Sequence, residues 1–139
     1  FPPMNEQTRR AFLTSAVTLG TAAVAAAAVP STGKAALPKL VHHVFFWLKN
    51  PESTADREAL IAGIRKLEKI ETVRAFHVGV PASTEKRDVV DNSYGVSELL
   101  GFDDVDGQDI YQKHPLHLEF VKSCSHLWSK VVVYDVMAV

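Results

Sequence analysis

The run LVHHVFFWLK, residues 40–49, carries the strongest structural signal in the chain. Its β-branched and aromatic side chains predict a β-strand, because such residues pack well on a pleated surface. Successive side chains of a strand point to opposite faces of the sheet. Val44 and Phe46 therefore share one face, and Phe45 and Trp47 share the other. Both faces are apolar, so we expect this strand to be covered on both sides.

The remaining elements follow from hydrophobic periodicity. Helical spacing of apolar residues predicts helices over 54–69, 103–113 and 115–129, and alternation or β-branched runs predict strands over 73–80, 93–102 and 130–139. Thr54 and either Asp103 or Asp104 are the expected N-caps, and Pro115 suits the first position of the last helix. The order β-α-β-β-α(α)-β predicts an α+β, ferredoxin-like domain, in which helices cover one face of a four-stranded antiparallel sheet.

The uncovered face of this sheet predicts a homodimer. Trp47, the pair Phe45 and Phe46, and the valines at 131–133 make both faces of the sheet apolar, and the domain is too short to build a second layer over the face without helices. Left open, they would form a larger apolar patch than a monomer usually tolerates. Two copies could instead close their sheets into a dimeric α+β barrel. We expect a small apolar or aromatic ligand to bind in the barrel interior.

The first segment differs from the rest in composition. TRRAFL at residues 8–13 is a twin-arginine pattern, and a mildly apolar, alanine-rich run follows over 11–29. A charged start, an apolar stretch and small residues before the folded part are typical of an export signal. We therefore expect residues 1–37 to be a twin-arginine signal and linker, and 38–139 to be a domain exported to the periplasm or the extracellular space. The twin-arginine export machinery would be a transient partner, and a retained membrane anchor is the alternative.

Composition excludes several functions. The chain has 139 residues, 47% of them hydrophobic and 22% charged, with a net charge of −1. This charge gives no basis for nucleic-acid binding, which needs a clustered basic face. The single cysteine, Cys124, cannot form an internal disulfide, and its place in an apolar helical stripe predicts burial. The chain contains no GxGxxG motif, P-loop or nucleophile elbow, so nucleotide chemistry and serine hydrolysis are disfavoured.

The segment YQKHPLH, residues 111–117, concentrates groups capable of acid–base chemistry. Pro115 disfavours helical geometry at His114, so His117 lies in the first turn of the next helix. The helix dipole there disfavours protonation, and a neutral histidine can act as a general base. Tyr111 could donate its phenol to a developing enolate oxygen, which suits proton abstraction beside a carbonyl. Alternatively, the two histidines only tie the helix to neighbouring backbone, and Tyr111 packs in the core.

Other candidates carry less specific signals. His42 and His43 are adjacent on a strand, so only one can face the barrel interior. A metal site could be assembled from His42, His77, His117 and Glu98, but no zinc-type spacing is present, and we expect neither a metal nor a cofactor. Glu98 lies within an otherwise apolar strand, where a paired or exposed edge position is the alternative to a functional one. The expected ligand contacts are His42, His114, Trp47, Tyr94 and Glu98.

These segments resemble the stress-responsive A/B barrel domain (Dabb) family over about residues 39–138. The resemblance rests on HHVFFWLK (42–49), VRAFHVG (73–79), Tyr94, YQKHPLH (111–117) and VVVYD (131–135). It implies a dimeric α+β barrel. Some plant members are similar to polyketide cyclases that close a ring by aldol chemistry with a histidine and a tyrosine and no metal. By position these are His117 and Tyr111; His42 matches a further histidine, and Val96 stands where such cyclases have one in the third strand.

Three functional hypotheses follow. The first is an exported homodimer that binds a small apolar or aromatic molecule. The second is a cofactor-independent cyclase, isomerase or related lyase, which requires the side chains of His117 and Tyr111 to reach one cavity. The third is a haem-handling or monooxygenase-like dimeric barrel with a histidine ligand. A fold of this kind hosts many activities, so the site has to distinguish them.

Overall fold

The computed structural model describes residues 33–139. The predicted twin-arginine pattern and apolar run lie outside the described residues. The chain divides into one unit of residues Phe1–Lys34 and a second of Ala35–Val139. Among the described residues, no helix has both the length and the apolar character needed to cross a membrane.

The second unit has the predicted element order. Its strands are β1 (Leu40–Leu48), β2 (Ala75–Gly79), β3 (Val96–Phe102) and β4 (Trp128–Met137), and its helices are α1 (Thr54–Arg65), α2 (Val105–Lys113) and α3 (Pro115–Cys124). Single 3₁₀ turns follow α1 over Lys66–Lys69 and α3 over Ser125–Leu127. The strands form one antiparallel sheet in the order β2-β3-β1-β4, which is the ferredoxin-like arrangement.

Helix ends differ in detail from the prediction. The cap of α1 is Ser53 rather than Thr54, because the Ser53 hydroxyl accepts a hydrogen bond from the Asp56 N–H at 3.1 Å. Asp104 caps α2 through the Gly107 N–H at 2.7 Å, as one of the two expected caps. The last helix was predicted to reach 129, but the chain enters β4 at Trp128. Pairing of β4 with β1 starts at that residue and overrides the helical spacing.

Burial divides the sheet into two faces. Along β1 the buried positions Leu40, His42, Val44, Phe46 and Leu48 alternate with half-buried ones. The buried side, here called the helix face, forms the core with residues of the helices that include Leu60, Ile64, Tyr111, Phe120 and Cys124. Cys124 is buried, as predicted.

The other side, here called the open face, carries residues that are half-buried or exposed. It includes Val41, His43, Phe45 and Trp47 of β1 and Val132, Tyr134 and Val136 of β4. Tyr134 is 59% exposed and Val136 is 57% exposed. The prediction that both faces of the first strand are apolar is therefore confirmed, and helices cover only one of them.

Candidate functional site

A cavity of about 180 Å³ lies on the helix face, between the sheet and helices α2 and α3. It opens beside β4, where Val131 is 37% exposed and Val133 is 44% exposed. The sheet, the helices and the start of β4 all contribute to its walls. The lining residues are His42, Val44, Phe46, Glu98, Tyr111, Gln112, His117, Phe120, Val121, Trp128, Val131 and Val133.

His117 and Tyr111 both line this cavity, and their ring centroids lie 4.7 Å apart. The break between α2 and α3 produces this contact. His114 is extended there, and Pro115 starts α3 immediately after it. The chain turns, so the first turn of α3 brings His117 back against the last turn of α2. The two residues of the predicted acid–base pair thus share one cavity, which lies on the helix face rather than on the face that would form a barrel interior.

The hydrogen bond of His117 defines its tautomer. The Nδ1 atom lies 3.0 Å from the carbonyl oxygen of Gln112. A carbonyl only accepts, so Nδ1 carries the proton and donates it, and the neutral ring keeps a lone pair on Nε2. Burial lowers the pKa of His117, the bond to Gln112 opposes this shift, and nearby His42 lowers the pKa further. His117 is therefore neutral at pH 7 and suited to accept a proton.

His42 is oriented by a residue that the sequence patterns did not single out. Its Nδ1 lies 2.5 Å from Oδ1 of Asp135, which stands opposite His42 in the β1–β4 register. A carboxylate accepts, so Nδ1 donates to Asp135, and the ring packs edge-on to Tyr111 with centroids 5.7 Å apart. The signal available in the sequence was a lone acidic residue in the apolar strand VVVYDV, the same kind of signal that drew attention to Glu98.

Glu98 and Tyr111 form a buried pair at the floor of the cavity. Glu98 is 1% exposed on strand β3, inside the sheet, and accepts a hydrogen bond from the Tyr111 hydroxyl at 2.9 Å. Burial raises the pKa of Glu98 to about 7, although the bond from Tyr111 opposes the shift. Burial and the Glu98 carboxyl both raise the pKa of Tyr111, which keeps its phenol protonated. Of the two alternatives to a functional glutamate, the structure shows the paired position and not the exposed edge.

The other expected ligand contacts lie elsewhere. His114 is the N-cap of α3, where its Nδ1 accepts from the Leu116 N–H at 3.0 Å, and it does not line the cavity. Trp47 and Tyr94 belong to the open face, with ring centroids 6.5 Å apart. The predicted set therefore separates: His42 and Glu98 join the acid–base pair, His114 caps a helix, and the two aromatic residues lie across the sheet.

The four residues considered for a metal site do not converge. His77 is an exposed residue of β2 whose register partner is Leu99, which places it on the open face, opposite His42, His117 and Glu98. Within residues 33–139, no group of three or more histidine, cysteine, aspartate or glutamate side chains is arranged to hold a metal ion.

A ferredoxin-like α+β domain with a histidine- and tyrosine-lined cavity beneath its helices is the class that the fold and site define. The family model described as the stress responsive A/B barrel domain matches residues 40–138. The chain therefore belongs to this family. No curated protein matches the chain.

Solved structures with the same fold carry different descriptions. A protein of Arabidopsis thaliana is 27% identical over 72% of this chain and 95% of its own, with a TM-score of 0.61. A dimeric ferredoxin-like protein of unknown function from Thermobifida fusca is 18% identical, over 71% of this chain and 90% of its own, with a TM-score of 0.58. The hydroxynitrile lyase of Passiflora edulis is 23% identical, over 73% of this chain and 95% of its own, with a TM-score of 0.61.

Proposed function

We propose that this domain is an acid–base enzyme that acts on a small carbonyl compound in the helix-face cavity, using its own side chains. The observation that carries the proposal is the shared cavity of His117 and Tyr111, with ring centroids 4.7 Å apart. His117 supplies an unprotonated Nε2, and Tyr111 supplies a phenol that stays protonated. A base and a donor beside one cavity are the minimum set for proton transfer next to a carbonyl.

The chemical step starts with the base. Nε2 of His117 takes a proton from the carbon beside the carbonyl. The electron pair of the broken C–H bond forms the enolate double bond, and the C=O π pair moves onto oxygen. The Tyr111 hydroxyl hydrogen-bonds to this oxygen as its charge develops. If the substrate is a β,γ-unsaturated carbonyl compound, the enolate is a dienolate, and the imidazolium can return the proton to its γ carbon, which gives an isomerase. If the enolate instead attacks a second carbonyl of the same molecule, the proton goes to the new alkoxide, which gives a cyclase.

The protonation state of Glu98 sets the direction of the Tyr111 hydroxyl hydrogen. When Glu98 is ionised it accepts the Tyr111 hydrogen bond, and the phenol is turned away from the substrate. When Glu98 is protonated, its own O–H can donate to the phenol oxygen, and the phenol hydrogen is released toward the substrate oxygen. Since burial raises the pKa of Glu98 to about 7, both states are populated at neutral pH.

A lyase is compatible with the same groups. His117 would take the hydroxyl proton of a carbinol, and the electron pair left on oxygen would form the C=O π bond. The adjacent C–C bond would break at the same time, and its electron pair would leave on the departing carbanion. The structural similarity to the hydroxynitrile lyase of Passiflora edulis supports including this reaction among those tested.

We also propose that the protein is a homodimer formed through the open face and exported by the twin-arginine route. The exposed Tyr134 and Val136 and the half-buried Phe45 and Trp47 give that face the apolar character of an interface. The dimeric description of the Thermobifida fusca protein supports this assembly.

A second candidate function uses that interface. An aromatic recess of about 120 Å³ on the open face, lined by Phe45, Trp47, Tyr94, Tyr134 and Asp91, favours binding of a small aromatic molecule inside the barrel without chemistry.

The enzyme proposal is tested by proton exchange. The full chain is incubated in D₂O with phenylacetone, and loss of the α-proton signals is followed by ¹H NMR; release of cyanide from mandelonitrile tests the lyase reaction. We expect His117→Ala to reduce the accelerated rate by about 10²–10⁴-fold, the usual contribution of a positioned base. Tyr111→Phe should also reduce it, because the phenol donor is lost.

The matched control is His126→Ala, which removes an exposed histidine in the turn after α3 that does not line the cavity. Its rate should equal that of the unchanged protein. The proposal fails if neither probe reacts faster than in buffer, or if His117→Ala and His126→Ala proteins react equally fast.

A further inference from the structure

The geometry points to a compact, electrically neutral carbonyl compound with one aromatic or cycloalkyl ring as the occupant of the helix-face cavity, and to the exclusion of carboxylates, phosphates and amines. This inference rests on the proposed function, because it names the substrate class of the same site. It draws on three observations: an aromatic wall, the charges at the polar end, and the size of the cavity.

One end of the cavity is an aromatic wall. Phe46, Phe120 and Trp128 all line it and pack on one another, with centroid distances of 6.2 Å for Phe46–Phe120, 5.1 Å for Phe46–Trp128 and 5.7 Å for Phe120–Trp128. Val131 and Val133 continue this surface to the opening. Ring faces and edges of this kind favour a flat apolar body over a polar one.

The opposite end is polar but offers no permanently charged cation. Among the residues lining the cavity there is no lysine or arginine. Glu98 lies at its floor, and the carboxylate of Asp135 stands behind His42. An anionic head group would enter without a lysine or arginine partner and would face the buried carboxyl group of Glu98, which costs free energy.

A cationic head group is also disfavoured. Glu98 is the only carboxyl group that lines the cavity; one of its oxygens already accepts from Tyr111, and burial raises its pKa to about 7. An ammonium group would have to give up its hydration shell, and a carboxyl group that is only partly ionised at pH 7 would compensate poorly for that loss. A neutral carbonyl oxygen needs only a donor, and Tyr111 can supply it.

The size of the cavity sets an upper limit. At about 180 Å³ it is smaller than the roughly 300–1,000 Å³ of pockets that enclose drug-sized ligands. One ring against the aromatic wall and a short carbonyl chain reaching Tyr111 would fill it. Long acyl chains and nucleotide-bearing thioesters would have to leave most of their atoms outside.

The tryptophans allow a direct test. The chain has two, and only Trp128 lines this cavity, whereas Trp47 lies on the open face. In a Trp47→Phe protein the fluorescence therefore reports on the cavity alone. Three probes share one benzyl body and differ in charge at pH 7: phenylacetone is neutral, phenylacetate is anionic and 2-phenylethylamine is cationic. We expect saturable quenching by phenylacetone with a Kd at least tenfold lower than for either charged probe.

Two controls accompany the titration. In a Trp128→Phe protein, Trp47 should show no saturable response to phenylacetone, because it lies across the sheet. Calorimetric titration of the unsubstituted chain should give the same ranking of probes, so the result does not depend on how well either variant folds. The inference is overturned if phenylacetate or 2-phenylethylamine binds as tightly as phenylacetone, or if none of the three binds.

These outcomes are separable from failure of the proposed function. If a charged probe binds tightly and α-proton exchange still depends on His117, the inferred substrate class is wrong but the proposed enzyme activity stands. If phenylacetone binds selectively but no α-proton exchange occurs, the inferred ligand class is supported and the proposed enzyme activity is wrong.

Discussion

The two faces of this sheet both carry aromatic and polar residues, but the surroundings of these residues differ between the faces. On the helix face, buried polar side chains have partners: His42 is held by the half-exposed Asp135, and Glu98 is paired with the buried Tyr111. On the open face, aromatic rings contact one another along the strands, as Phe45 with Tyr94 at 4.9 Å, and stay partly exposed. His42 and Phe45 belong to the same strand, β1, and point to opposite faces of it.

The comparison shows which face of the sheet can alter the protonation of its titratable groups. A titratable group changes its properties when it is desolvated and held by one partner, and the largest such changes, those of Glu98 and Tyr111, occur beneath the helices. The open face has apolar area and few fixed partners, which suits association with a second surface. Four predictions test this division of labour.

The largest expected effect contrasts two adjacent phenylalanines. Phe46 is 2% exposed on the helix face, so Phe46→Ala should lower the free energy of unfolding by about 3–5 kcal/mol at any protein concentration. Phe45 is half-buried on the open face, so the loss in Phe45→Ala should grow as the protein is diluted toward dissociation. Urea denaturation at two protein concentrations measures both. A concentration-independent loss in Phe45→Ala would break the comparison.

The next effect is the pH dependence of stability contributed by Glu98. Its pKa is raised from 4.5 to about 7 in the folded protein. The unfolded state therefore loses its proton first, so this contribution is fully present below pH 4.5 and is lost as pH rises through 7. The loss amounts to about 3 kcal/mol. Glu98→Gln should remove it, so the variant gains relative stability at pH 8 but not at pH 4. Denaturation at both pH values measures this, with exposed Glu58→Gln as the control.

A third prediction concerns the pH profile of proton exchange. The proposed active form has neutral His117 and protonated Glu98. Activity should therefore fall about tenfold per pH unit above roughly 7, and on the acid side only below the lowered pKa of His117. In Glu98→Gln the side-chain amide donates to the phenol oxygen at every pH, so the alkaline decline should disappear. An unchanged alkaline decline in this variant would refute the role given to Glu98.

The smallest expected effect is a difference in stability and proton exchange between substitutions of His114 and His117. His114 caps α3, so His114→Ala should cost about 1 kcal/mol of stability and leave proton exchange unchanged. His114→Asn should retain most of the stability, since asparagine is a good N-cap. Thermal denaturation together with the exchange assay distinguishes this from His117→Ala. Loss of exchange in a folded His114→Asn protein would give His114 a part in the site.

Much of the fold could be predicted because local patterns agree with it. Periodicity predicted every strand and α-helix of the described domain in the right order. Asp103 or Asp104 marked the start of one helix, and Pro115 marked the start of the next. Boundaries shifted where strand pairing decided them, as at Trp128, where β4 begins inside the predicted helix.

The site could be predicted only in part. Tyr111 and His117 were recognisable because one short segment holds both. Asp135 was not, because it reaches His42 only through the β1–β4 register. Trp47 lies five positions after His42 on the same strand. Because side chains alternate between the two faces, an odd spacing already places them on opposite faces. Tyr94 precedes β3 and contacts Phe45, so it shares the open face.

Residue order was enough to specify a ferredoxin-like domain with a histidine and a tyrosine at one helix junction, since hydrophobic period, caps and proline act over a few residues. Which sheet face receives the helices, and hence which histidine is buried beside Glu98, depends on contacts between residues far apart in the chain. Burial is a property of the packed molecule, so the shifts that make Glu98 and His117 useful arise only once the strands and helices have come together.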